Sequence, residues 1–120
     1  MTQTASSPEV SVIVPLFNEE ESIAILQSEL SAALKDLDYE IIFVDDGSVD
    51  RTVERIEPKA NGRVIRFENN GGQSAAIYAG LEVAQGATMV LIDGDLQNDP
   101  ADIPRLLDEI ARGGVQLGAT

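Results

Sequence analysis

The residues Asp93-Gly94-Asp95-Leu96-Gln97 carry oxygen donors at alternate positions directly after the apolar run Met89–Ile92. Two carboxylates at i and i+2 can face one ion once the chain leaves a strand, and Gly94 between them lets the backbone turn. Gln97 then returns an amide oxygen to the same side. Three oxygen ligands of this kind suit a hard divalent cation, Mg²⁺ or Mn²⁺, with water and substrate oxygens completing the shell. The alternative for the same residues is a solvated loop or a helix cap. A second acidic pair, Asp45-Asp46, follows the run Ile41–Val44. It can accept hydrogen bonds from a base edge or ribose hydroxyls, or it can simply form a turn with Gly47-Ser48. Gly71-Gly72-Gln73-Ser74 could offer backbone N–H groups to an anion, or could be a tight turn with a cap. It has neither dinucleotide-fold nor P-loop spacing, and no lysine follows Lys59.

Electrostatics restrict what such a cleft can take. Like charges about 4 Å apart repel by ~4 kcal/mol at an effective dielectric near 20. A diphosphate therefore needs a cation between itself and Asp93 and Asp95. The residues point either to a joint metal–nucleoside-diphosphate site or to a carboxylate metal site without phosphate.

The rest of the composition removes other chemistries. The 120 residues include no histidine, so imidazole acid–base catalysis and Ser-His-Asp triads are excluded. They include no cysteine, which excludes disulfides, thiolate metal sites and a thiol nucleophile. A net charge of −13 argues against a nucleic-acid partner and against adsorption to anionic lipid. No apolar stretch approaches a bilayer span and the start has no signal-peptide pattern, so a cytoplasmic chain is expected.

The elements that must position these residues alternate. Val10–Val14 reads as a strand stopped by Pro15, and Glu19–Leu37 as a helix with Glu19, Glu20 and Glu21 in its first turn. Tyr39–Val44, Gly62–Phe67 and Thr88–Ile92 read as further strands. A short helix fits Asp50–Glu57, and a longer one Gln73–Gln85 closed by Gly86. A last helix starts near Asp102, with Ile103, Leu106, Leu107 and Ile110 on one face, and Val115–Leu117 could open a fifth strand. This order predicts an α/β fold, a doubly wound and mostly parallel sheet with helices on both faces. Residues 1–8 are expected to be a flexible lead-in and 9–120 one domain. In a parallel sheet the polar residues after each strand meet at one edge, where ligands bind.

Four segments in register resemble the inverting family 2 glycosyltransferases of the GT-A fold. They are Val12–Glu20, Glu40–Ser48, Asn70–Ala76 with Ala79-Gly80, and Asp93–Gln97. The subgroup most similar in its motifs is the dolichyl- or polyprenyl-phosphate sugar synthases. The resemblance implies that Pro15, Phe17, Asn18 and Glu19 border a nucleotide sugar and that Asp45 and Asp46 hold its base and ribose. It also brings Asn70, Gln73, Asp93 and Gly94 to the donor, and makes Asp93, Asp95 and Gln97 ligands of Mg²⁺ or Mn²⁺. Gly94 stands where alanine is more common, a change expected to be harmless, and Asn98-Asp99-Pro100 replaces a proline-rich stretch.

The implied activity is transfer of a sugar, with inversion, from a nucleoside-diphosphate sugar to a polyprenyl phosphate or a glycan. Full-length relatives often work at the cytoplasmic face of the membrane. The family's acceptor-binding half lies beyond the residues present, so no catalytic residue is identifiable, and a C-terminally truncated domain is expected. Two other readings stand beside this one. One is a nucleotide- and metal-binding fragment without turnover; the other is a receiver-like signalling domain, which would need a lysine after a late strand. Self-association through an exposed edge of the sheet is also expected.

Overall fold

A computed structural model describes residues 8–95 and 99–111. Gln97, most of the expected lead-in and the expected strand at Val115–Leu117 lie outside the described residues. The elements run β1 (Val10–Leu16), α1 (Ile23–Leu34), β2 (Tyr39–Asp45), a 3₁₀ turn (Val53–Arg55) and β3 (Gly62–Arg66). They continue with α2 (Gln73–Val83), β4 (Thr88–Leu91), a second 3₁₀ turn (Pro100–Asp102) and α3 (Ile103–Ala111). The four strands form one sheet in the order β3-β2-β1-β4, and every pairing is parallel.

The period-two alternation of the strands sorts the core into two layers. Val10, Val12, Val14 and Leu16 of β1 join Ile41 and Phe43 of β2 and Val90 of β4 on one face. There they pack against Ile23, Leu26, Leu30 and Leu34, the single buried stripe of α1, and against Ile103 of α3. Ile13, Ile42 and Val44 face the other way, onto Ala76 of α2. Helices on both faces explain why β1 is buried along its whole length and carries an almost continuous apolar run. α2 rides close to the sheet because it has glycine at position 80, where a Cβ would lie 2.6 Å from Ile13 Cγ2.

Several boundaries differ from the sequence reading. Pro15 does not stop β1 but sits inside it, opposite Val44. Ile13 accepts from Ile92 N–H, so the backbone two residues on, at Pro15, also faces the β4 side. The β1–β4 ladder ends at the Ile13–Leu91 pair, so the missing proline N–H has no partner to lose.

The first helix begins at Ile23 rather than Glu19, which leaves Glu19, Glu20 and Glu21 in the preceding turn. Their backbone is engaged elsewhere: Glu19 N–H donates to Thr52 Oγ1 (2.8 Å) and Glu20 N–H to Asp50 Oδ2 (3.3 Å). The short helix expected over Asp50–Glu57 is only the 3₁₀ turn Val53–Arg55.

Gly86 does not cap α2, which already ends at Val83 with Ala84 extended. Its role is close approach, since a Cβ there would meet Ser11 N at 2.6 Å. Gly86 N–H donates to Ser11 Oγ (2.8 Å), and that hydroxyl donates to Glu40 Oε2 (2.6 Å). The same carboxylate oxygen accepts from Gln85 N–H (2.7 Å). This buried network ties the α2–β4 connection to the strand starts, at the sheet edge opposite the cleft described next. At the lateral edge, β4 pairs with β1 alone among the described residues, and Met89 is 45 % exposed.

Candidate functional site

The loops after all four strands meet at the carboxyl edge of the sheet, around an open cleft of ≈ 360 Å³. Nine of the eleven described residues expected at the site line it: Pro15, Phe17, Glu19, Asp46, Asn70, Gln73, Asp93, Gly94 and Asp95. Asn18 and Asp45 do not. Leu16 and Ala76 supply apolar lining, and Gly72 lies beside Gln73.

The two aspartates after β2 have separate tasks. Asp45 is wholly buried and closes its own turn: Oδ2 accepts from Ser48 N–H (2.9 Å) and Oδ1 from Ser48 Oγ (2.5 Å). Its carboxylate is therefore engaged in the loop and absent from the cleft lining. Asp46 points the other way and holds the loop after β3. Its Oδ1 accepts from Gly71 N–H (2.6 Å), its Oδ2 from Gly72 N–H (3.0 Å), and its backbone carbonyl from Asn70 Nδ2 (3.3 Å). The glycine N–H groups that could have met an anion are thus occupied by Asp46. Gly47, at φ +82°, lets these loops touch: a Cβ there would lie 3.0 Å from Asn70 N.

Asn18 works behind the cleft. It adopts a left-handed conformation (φ 55°) that turns the chain after β1. Its N–H donates to Ser48 Oγ (2.8 Å) and its Oδ1 accepts from Val49 N–H (3.0 Å). Together with the Glu19–Thr52 bond, these contacts aim Glu19 into the cleft. Thr52 is fully buried and also donates to Asp50 Oδ1 (2.5 Å), forming an Asx-type turn. Thr52 and Ser22, whose Oγ donates to the Gly94 carbonyl (2.7 Å), are supports that sequence reasoning missed. The one available signal, for Thr52, was the alternation of short polar residues at Ser48, Asp50 and Thr52.

Asp93 and Asp95 flank Gly94 on the cleft wall opposite Asp46. Gln73, the first residue of α2, reaches across with Nε2 3.2 Å from Asp93 Oδ1. Gly94 packs tightly: a Cβ there would lie 2.5 Å from Leu16 Cδ2, so an alanine would have to displace that buried methyl group. Negative charge accumulates in this wall. Burial first, and then the charge of Asp95, push the Glu19 carboxyl above its ordinary range, with Asp50 and Asp93 adding to the effect.

Among the described residues, no group of three His, Cys, Asp or Glu side chains is arranged to hold a metal ion by itself. That excludes an all-protein cage from the described residues. It fits the other kind of divalent site, in which one or two carboxylates bind the ion jointly with substrate phosphates. Asp93 and Asp95, on the wall of an open cleft beside an acid whose ionisation is already opposed, suit that role.

A parallel sheet with an open cleft at its strand ends, lined by Asp93 and Asp95 after β4 and by Asp46 after β2, defines an α/β protein of the kind that takes ligands at the carboxyl edge of its sheet. The chain belongs to glycosyl transferase family 2, whose model matches residues 11–118. It is 39% identical over 118 residues to the dodecaprenyl-phosphate galacturonate synthase of Rhizobium johnstonii, covering 92% of this chain and 35% of that protein. It is 42% identical over 111 residues to the undecaprenyl-phosphate 4-deoxy-4-formamido-L-arabinose transferase of Pseudomonas fluorescens, covering 87% of this chain and 33% of that protein. The chain thus spans about a third of the length of these curated relatives. Among solved structures, it is similar to glucosyl-3-phosphoglycerate synthase from Mycobacterium tuberculosis in complex with Mn²⁺, UDP and glucosyl-3-phosphoglycerate. The TM-score is 0.70 at 29% identity, over 86% of this chain and 39% of that one. No helix among the described residues is long and apolar enough to cross a membrane.

Proposed function

We propose that this chain is the donor-binding part of an inverting glycosyltransferase that moves a sugar from a nucleoside-diphosphate sugar to a polyprenyl phosphate. The observation that carries this reading is the meeting of Asp46, Gln73, Asp93 and Asp95, from the loops after three different strands, on one open cleft. Phe17, nearly half exposed at the cleft, offers apolar surface to the base, and Pro15 lies beside it. Asp46 keeps the loop bearing Asn70 against the nucleotide side. Asp93 and Asp95, joined by Gln97, would hold Mg²⁺ or Mn²⁺ where the diphosphate lies. When bound, that ion offsets the negative charge of the departing diphosphate.

In the transfer, an acceptor oxygen bonds to the anomeric carbon from the face opposite the diphosphate. The bond from that carbon to the diphosphate oxygen breaks, and its electron pair leaves with the nucleoside diphosphate. A polyprenyl phosphate is already ionised, so this acceptor needs no general base. By the resemblance to family 2 glycosyltransferases, the reaction would take place at the cytoplasmic face of a membrane.

The test is calorimetric titration of UDP- and GDP-sugars with Mn²⁺ and then with EDTA. Asp95→Ala should abolish the metal-dependent part of binding. Asp99→Ala, which removes only an exposed carboxylate accepting from Ala101 N–H, should retain it. Equal loss in both variants would mean the ligands are misassigned.

A further inference from the structure

We propose that Gln73 is the positioning residue of the cation site, acting on the Asp93 carboxylate and not on the nucleotide; this rests on the metal–diphosphate reading above. The placement of Gln73 is determined by the backbone before it. The Asp46 carboxylate takes both the Gly71 and Gly72 N–H groups, and Gly72 adopts φ +94°, a conformation that side chains disfavour. α2 starts directly afterwards, and Ala76 N–H closes its first turn onto the Gly72 carbonyl (3.1 Å). The side chain of Gln73 therefore departs from a fixed point and spans from the loop after β3 to the loop after β4, ending 3.2 Å from Asp93 Oδ1.

The chemistry of the contact sets its direction. A carboxylate only accepts, so the amide must present its NH₂ to Asp93. A donor on one oxygen fixes the carboxylate plane and withdraws some of its charge. That matters on a cleft wall where Asp93 and Asp95 lie together with Glu19. Hydrogen bonds of this kind to a ligating carboxylate typically govern metal affinity by 10–100-fold. The same geometry joins the two halves of the donor site. Asp46, on the nucleotide side, sets the backbone from which Gln73 orients Asp93, on the diphosphate side. Ordering of one loop is thereby transmitted to the other through two residues.

Gln73→Met keeps the length and helix preference of the side chain and removes the donor. Gln73 is exposed, so the variant should fold and melt with the parent. Free Mn²⁺ is counted by electron paramagnetic resonance in the presence of whichever of UDP and GDP binds the unaltered chain more tightly. Binding of the same nucleotide is measured in EDTA. The proposal expects Gln73→Met to weaken Mn²⁺ binding about tenfold or more, a far larger loss than that of nucleotide binding in EDTA. An equal loss with and without Mn²⁺ would show a direct contact with the nucleotide and overturn the proposal. So would unchanged Mn²⁺ affinity. If the unaltered chain itself binds nucleotide no better with Mn²⁺, the metal–diphosphate reading fails and this inference falls with it.

Discussion

Asp46→Asn is the substitution whose cost follows most directly from the geometry. The Asp46 side chain is 5 % exposed and accepts two backbone N–H bonds, at 2.6 and 3.0 Å. Hydrogen bonds to a charged acceptor contribute about 1.5–3 kcal/mol each. Asparagine keeps one acceptor but turns an NH₂ toward the second N–H, leaving a part-buried donor facing a donor. The retained bond falls to neutral strength, and the orphaned N–H costs ~1–3 kcal/mol. A net loss of about 2–4 kcal/mol follows, a large fraction of the stability of a domain this size. Urea unfolding followed by circular dichroism should show the midpoint falling by more than about 1 M at an ordinary m-value. Hydrogen exchange at the Gly71 and Gly72 amides should accelerate, and nucleotide affinity should fall with them. Asp36→Asn, at an exposed carboxylate, is the control. If the two variants lose the same stability, within about 0.5 kcal/mol, then Asp46 does not hold the loop after β3.

Two further outcomes are expected. Because the folded state raises the Glu19 carboxyl, its ionisation opposes folding: stability is full below about pH 4.3 and is lost as pH rises through the folded value. Glu19→Gln should therefore raise the melting temperature of the EDTA-treated chain at pH 7 and lose that advantage at pH 4, whereas an equal effect at both pH values would remove the electrostatic cause. The β4 edge, which has no outer neighbour strand among the described residues, should make the chain associate with increasing concentration, and Met89→Lys should suppress this in sedimentation velocity; association unchanged by the lysine would place the contact elsewhere.

The parallel sheet was legible because its central strands β1 and β2 are apolar on both faces, as a sheet covered by helices on both sides requires. The convergence of Pro15, Asp46, Gln73, Asp93 and Asp95 was legible for a related reason: in a parallel sheet the end of each strand is also an address. Polar pairings were not legible. Nothing in the order Asp45-Asp46 tells which carboxylate turns inward to Ser48 and which reaches Gly71 and Gly72, since that depends on a side-chain alternation set by the strand's last residue. The Ser11–Glu40–Gly86 network joins residues up to 75 apart in the chain, and neither serine nor glycine announces it. The first helix came out short for a similar cause. Acids before Ile23 look like a dipole-matched first turn, but Asp50 and Thr52 bind their backbone N–H groups from another loop.

The most direct measurement of the central claim is where a paramagnetic ion sits. Mn²⁺ added with nucleoside diphosphate to isotope-labelled chain broadens the amide signals of residues near it. The account predicts loss of the Gly72, Gln73 and Gly94 signals, with Ser11 and Gly86 at the opposite edge of the sheet unaffected. A second acidic hollow, lined by Glu20, Glu21 and Asp50 and sharing Glu19 and Asp95 with the cleft, offers the ion an alternative. Broadening at Glu20, Glu21 and Asp50 with the Gly72 and Gln73 signals intact would contradict an ion held on Asp93.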